Sequence, residues 1–203
     1  VGGSYILAHA PGHIGAYLGV LGARMNAADA ILAGFADTFI PEAYWPDLKA
    51  KITMTGNVSW LASAAKVAPE GELSGLSDQI DALFHHNRLG ELAGALQTDD
   101  SPFAQSSLTK LMQNSPIAMG CALRMLNGQP APANVSDALQ TEYRTTFRAT
   151  KHGDLLEGIR AAIIDRDRNP AWKHTVDTLT DADVDAMLAP LGDAELNLKE
   201  TAP

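Results

Sequence analysis

The sequence predicts a mostly α-helical protein with at most one or two short strands, both near the N-terminus. Three observations carry that prediction. Apolar residues recur at helical spacing along nearly the whole chain. Breakers built from Pro, Gly, Asn and Ser fall between the periodic stretches at helix-length intervals. One segment, Phe35-Ala36-Asp37-Thr38-Phe39-Ile40, instead reads as a short apolar-alternating strand that Pro41 stops.

Taken in order, Pro11-Gly12 opens a helix over 13–22, with Ile14, Leu18 and Leu21 at i, i+4 and i+7. A second helix covers 27–34, followed by the strand candidate at 35–40. Helices over 45–52 and 58–67 precede a Pro69-Glu70-Gly71 loop, and helices over 76–86 and 89–96 end at the turn Asp99-Asp100-Ser101-Pro102. The helix over 103–113 stops at Asn114-Ser115-Pro116, where Ser115 caps the next helix and Pro116 takes its first position. That helix runs to Leu126 and closes at Asn127-Gly128. The Pro- and Ala-rich stretch 129–133 reads as a surface connector. Ser136 then caps a helix with Leu139, Tyr143 and Phe147 on one face. In 154–166, Asp154 and Glu157 form a capping pattern, and Leu155, Ile159, Ala162 and Ile163 share a face. Thr180-x-x-Asp183 repeats the start signal for a last short helix.

At 203 residues the chain is one large domain or two small ones, at about 150 residues per domain. A chain of that length buries roughly 70% of its unfolded surface and needs no disulfide or metal staple. With 46% hydrophobic and 19% charged residues, disorder is excluded. A net charge of −9 argues against a nucleic-acid partner, which calls for a basic footprint. The single cysteine, Cys121, has no partner for an internal disulfide, so the expected compartment is the reducing cytoplasm. No apolar run approaches the ~18 residues of a membrane helix, so no membrane partner is expected, and no signal peptide is visible. The chain opens on Val1, not Met, and the expectation is therefore part of a longer protein.

Residue by residue, no catalytic constellation declares itself. His9 and His13 are four apart, but Pro11-Gly12 between them breaks any common helical face, and no metal site is assigned. His85-His86 ends a helix, where a cation complements the dipole. Cys121, among Met119, Ala122 and Leu123, reads as a small buried apolar residue. Gly12, Gly15, Gly19 and Gly22 form a stripe that is not the dinucleotide fingerprint, and it reads as a face for close backbone packing. Asp165, Arg166, Asp167 and Arg168 alternate in sign as solvated charge runs do.

Several motifs together nonetheless carry a resemblance. Val1-Gly2-Gly3-Ser4-Tyr5, Gly22-Ala23-Arg24, Asp29-Ala30 and Ala33-Gly34-Phe35-Ala36 resemble the middle of crotonase-superfamily (enoyl-CoA hydratase/isomerase) enzymes. Glu142-Tyr143-Arg144, Gly153-Asp154, Glu157-Gly158-Ile159-Arg160-Ala161, Ile164-Asp165-Arg166-Asp167, Pro170 and Trp172 resemble a longer signature. Its home is one branch, the 3-hydroxyisobutyryl-CoA hydrolases, and the likeness runs from Val1 to about Gly192. It implies the C-terminal part of a crotonase-type α/β spiral. Residues 1–42 would end the spiral core, and 43–203 would form a C-terminal helical region. The implied reaction is cleavage of a short branched acyl-CoA, as in valine breakdown, with hydration or isomerisation of an enoyl-CoA as the alternative. Coenzyme A enters as part of the substrate, and no other cofactor is implied.

The family's acidic catalytic residues and oxyanion-hole glycines match positions before Val1. No catalytic residue is therefore assigned in this chain, and the 203 residues alone are expected to be inactive. Gly2 and Gly3 match the edge of the active-site motif and are the substrate-binding candidates. Arg166 is a further candidate, for a CoA phosphate. Where the family carries an aromatic after E-G-x-x-A, this sequence has Ala162, so no adenine stack is assigned. The implied partners are the acyl-CoA, the missing N-terminal half and further copies of the chain. A reading of another class remains, a non-catalytic helical module that binds a partner through its apolar faces.

Overall fold

The computed structural model describes residues 2–128 and 131–198. Val1, and Gln129 and Pro130 of the expected connector, lie outside the described residues. Twelve α-helices make up the described architecture: α1 (Gly3–Ala8), α2 (Ile14–Leu21), α3 (Ala27–Leu32), α4 (Trp45–Thr55), α5 (Trp60–Ala64), α6 (Leu73–Leu83), α7 (Leu89–Thr98), α8 (Pro102–Leu111), α9 (Pro116–Asn127), α10 (Val135–Ala149), α11 (Leu155–Ile159) and α12 (Asp181–Leu188).

Local chemistry sets most of the helix starts. Ser115 accepts a hydrogen bond from the Ala118 N–H with Pro116 at the first position of α9, and Ser101 caps α8 in the same way. Thr180 and Asp183 form a reciprocal capping box on α12, and Asn26 and Asp29 form another on α3. For α10 the cap is Asn134, not the expected Ser136: its side chain accepts from the Asp137 N–H at 3.0 Å. Asn is as good a cap as Ser, and the one placed in extended backbone takes the role.

No strand forms at 35–40. The Phe35 N–H reaches back to the Ala30 carbonyl (2.8 Å) and the Gly34 N–H to that of Ile31 (3.1 Å), closing α3 around a left-handed Gly34. Ending the helix consumes the first donors of the candidate strand. What remains is one antiparallel bridge, between Phe39 and Lys66.

The core centres on α2, which packs against α1, α6, α8 and α9. Ile80, Phe84, Leu92, Leu96, Leu111 and Leu123 are fully buried. Ile14, Leu18 and Leu21 belong to the same core, so this chain's own helices bury the face they form. Phe84 meets Tyr17 edge-on at 5.2 Å between ring centroids, and Phe103 stands 5.6 Å from Tyr17. The glycine stripe is a packing device at two of its positions. A Cβ on Gly15 would overlap the Leu7 carbonyl, and one on Gly19 would press on Leu126. Gly12 and Gly22 instead supply left-handed backbone at the two ends of α2. A smaller cluster of Ile117, Cys121, Val184 and Met187 joins α9 to α12. Residues 42–67 pack mainly on themselves, with Leu48 buried and Met54, Val58 and Val67 well exposed.

Candidate functional site

The chain at Gly2 adopts left-handed backbone, φ +79°, which a residue without Cβ takes at no cost. It is the N-cap of α1, but no side chain of α1 caps the helix. The cap comes from Glu142 in the middle of α10. Its carboxylate accepts the Gly2 N–H (2.8 Å) on one oxygen, and the Ser4 N–H (2.8 Å) and Ser4 hydroxyl (2.7 Å) on the other. Burial works to raise the Glu142 pKa, but the hydrogen bonds from Ser4 and Gly2 outweigh it and hold the carboxyl below its ordinary range. Gly3 has open space where a Cβ would point. Of the two substrate-binding candidates, Gly2 thus has its N–H taken by Glu142, while Gly3 faces outward.

The rest of the signature forms a clasp. Arg144 donates to Glu195 (2.6 Å), whose other oxygen accepts the Leu191 N–H. Arg148 donates to the carbonyls of Met187, Ala189 and Pro190, closing the C-terminal end of α12. Asp154 and Glu157 do not form the expected capping pair. The buried Asp154 takes the Ser115 hydroxyl (2.6 Å) and the Lys173 N–H (3.1 Å), because α9 and the 170s both converge on it. Glu157 takes the Ala171 N–H and a two-pronged bond from Arg160. Trp172 lies over Gly158 and donates its indole N–H to the Gln113 carbonyl.

Past Ile159 the helix widens into a π-turn over Arg160–Ile164. Arg160 there gathers Glu157, Asp165 and Asp167, and also reaches the Asn169 carbonyl. The expected apolar face is not buried: Leu155, Ala162 and Ile163 are exposed and Ile159 is half-buried, while Ala161 is buried instead. The alternating charge run is therefore divided by partner. Asp165 and Asp167 turn in to Arg160, while Arg166 and Arg168 occupy left-handed backbone and point to solvent. Arg166 bonds the Ile163 carbonyl through Nε, and among the described residues neither Arg166 nor Arg168 has a carboxylate partner. Nothing brings Arg166 together with Gly2 or Gly3 in one arrangement.

This hub has a pH signature. Arg160, followed by the Ala171 N–H, pulls Glu157 from 4.5 to about 2, and Arg160 also lowers Asp167. A carboxyl with a depressed folded pKa stabilises the fold above its unfolded value and loses that contribution as pH falls through the folded one. The denaturation midpoint is therefore expected to drop between about pH 4.5 and about 2, the window Glu157 sets. In Arg160→Met the drop is expected to be shallower. Urea titrations across that range check this, and equal slopes in the two proteins would contradict it.

The remaining candidates settle into structural roles. His9 bonds the Tyr5 carbonyl, and the His13 ring meets Asn127. Burial, then the neighbouring His85, lowers the His86 pKa, against the opposing pull of Glu91 at 3.7 Å. Burial pushes the Cys121 thiol up to about 11, far from a nucleophile's range. Cys121, Met125, Met187 and Trp172 line a half-open apolar groove of about 350 Å³ with the paired Ser115 and Asp154 at its edge.

Comparisons with known proteins supply the frame for these contacts. The family model described as enoyl-CoA hydratase/isomerase matches residues 1–188. The chain is 31% identical to the mitochondrial 3-hydroxyisobutyryl-CoA hydrolase of Gallus gallus over 98% of this chain and 54% of that one. It is 29% identical to a probable 3-hydroxyisobutyryl-CoA hydrolase of Arabidopsis thaliana over 91% of this chain and 53% of that one. Among solved structures, an enoyl-CoA hydratase from Rhodobacter sphaeroides 2.4.1 superposes with a TM-score of 0.90 at 45% identity, covering 97% of this chain and 57% of that chain. A carnitinyl-CoA dehydratase from Mycobacterium thermoresistibile gives 0.85 at 32% identity, over 97% and 56%. The chain spans about half the length of the curated relatives it matches.

Proposed function

Because the chain belongs to the enoyl-CoA hydratase/isomerase family, we propose that it forms the helical C-terminal part of an acyl-CoA enzyme, and that this enzyme is a 3-hydroxyisobutyryl-CoA hydrolase. The observation that carries the reading is the signature from Glu142 to Trp172. Each of Glu142, Arg144, Asp154, Glu157, Arg160 and Trp172 makes a specific contact in the clasp, and relatives carrying the hydrolase name match across it.

The reaction breaks the thioester C–S bond with water and gives a carboxylic acid and the CoA thiol. It needs N–H donors on the developing oxyanion and a carboxylate as base or nucleophile. In this reading the chain supplies neither. The Gly2 and Ser4 N–H groups are already bound to Glu142, and the carboxylates of the clasp are held by arginines or backbone donors. Its part is to border the acyl site at Gly2 and Gly3 and to hold that border in place.

The second reading, an enoyl-CoA hydratase, is favoured by the 45% identity to the solved enoyl-CoA hydratase of Rhodobacter sphaeroides 2.4.1. One experiment separates them. The protein expressed from its whole coding sequence is given 3-hydroxyisobutyryl-CoA and, separately, a short 2-enoyl-CoA. Release of free CoA thiol from the first is the expected result. Hydration of the second without thiol release would establish the alternative, and turnover of neither would overturn both. The 203-residue chain by itself is expected to leave both substrates unchanged.

A further inference from the structure

We propose that Glu142 is a positioning residue for the reaction, its carboxylate holding the Gly2 turn and the first turn of α1 in the geometry that the acyl thioester meets. The inference rests on the reading above, in which Gly2 and Gly3 border the acyl site.

Helix α1 has six residues, too few to be stable or oriented by its own hydrogen bonds. Its placement comes from what grips its two ends. At the C-terminal end the absence of a Cβ on Gly15 lets α2 close directly on the Leu7 carbonyl. At the N-terminal end, three donors from Gly2 and Ser4 converge on the single Glu142 carboxylate within 2.8 Å. Bonds to an ionised acceptor are shorter and about twice as strong as neutral ones. They also span some 140 positions of sequence, so they fix α1 relative to α10 and not merely within its own turn.

α10 is itself anchored. Arg144 and Arg148, two and six residues further along, tie it to Glu195 and to the end of α12. Val135 of α10 stands 3.8 Å from where a Gly2 Cβ would be, so the same helix frames the turn from a second side. The clamp also defines what the turn cannot do. With the Gly2 and Ser4 N–H groups bound to Glu142, the oxyanion must find its donors elsewhere, and the open face of Gly3 is what remains toward a ligand. Glu142 therefore acts through the turn and has no contact with the thioester.

The test uses the protein expressed from its whole coding sequence, with Glu142→Gln, Glu142→Asp and Ser4→Ala. The glutamine is nearly isosteric but puts an NH2 donor in place of one accepting oxygen, facing a donor of Gly2 or Ser4. In Glu142→Gln, hydrogen exchange of the peptide containing residues 2–4 is expected to speed up at least tenfold. The kcat for acyl-CoA turnover is expected to fall on the order of ten- to a hundredfold, the scale on which a small misplacement costs rate. KM should stay within about threefold, because binding is not what the clamp supplies. Glu142→Asp, which keeps the charge, is expected to recover part of kcat. Ser4→Ala, which deletes one of the three bonds, should be intermediate, and it decides the question if Glu142→Gln fails to fold. Faster exchange with unchanged kcat would overturn the positioning role, and unchanged exchange would overturn the clamp itself. If the wild-type protein turns over no acyl-CoA, the functional reading falls and the catalytic consequence falls with it, while the exchange data still decide the clamp.

Discussion

Gly15→Ala is expected to unfold the packing of α1 on α2. The added Cβ would overlap the Leu7 carbonyl, a backbone atom that no rotamer change can move aside. Relief requires α1 to lift off α2, which exposes part of the core around Ile14 and Leu18. The expected loss of stability exceeds the ~3 kcal/mol upper end of ordinary overpacking. Gly75→Ala is the control. Gly75 lies within α6 with open space around its Cβ position, and alanine there is expected to be neutral or to stabilise by up to about 1 kcal/mol. Urea unfolding of the two variants checks the pair. A Gly15→Ala protein as stable as Gly75→Ala would show that α1 is not seated as described.

Phe84→Ala is the second large effect, expected to cost about 3–5 kcal/mol. The Phe84 ring is fully buried and is the shared contact of Tyr17 and Phe103. It sits at the C-terminal end of α6, where its N–H closes the helix on Ile80, and Asn127 of α9 donates to its carbonyl. Deleting the ring leaves a void under three helices without removing either hydrogen bond, so the loss reports packing alone. Against a net stability of about 5–15 kcal/mol for a typical domain, that is a large fraction. Unfolding midpoints measure it, and a loss below about 1 kcal/mol would mean the site collapses without a cavity.

Helix starts are legible in the sequence where the deciding chemistry is local. Ser115-Pro116 and Thr180-x-x-Asp183 announce helix starts because the cap, its donor and the first turn lie within four residues of one another. The glycine stripe was legible as a packing face at Gly15 and Gly19, since only close approach explains such a cost inside a helix. A side chain with a choice of partners is not legible in this way. Asp154 has a capping position available in its own segment, yet it serves Ser115 and Lys173 from two distant elements. Ser136 is the cap expected from the sequence, but Asn134, in extended backbone, is the one that caps α10.

From the residues alone came the helical class, the position of most helix starts, the apolar face of α2, and the likeness to the acyl-CoA family through its long signature. Only the tertiary structure decided what the signature's polar residues do. Glu142 clasps a turn 140 positions away, Arg160 gathers three acids and leaves Arg166 and Arg168 with no carboxylate partner among the described residues, and the candidate strand gives up its first donors to end α3. The physical reason is the size of the local terms. A cap or a surface pair contributes about 1 kcal/mol or less, so competing local partners are nearly equal until packing brings one distant group within 3 Å and excludes the rest.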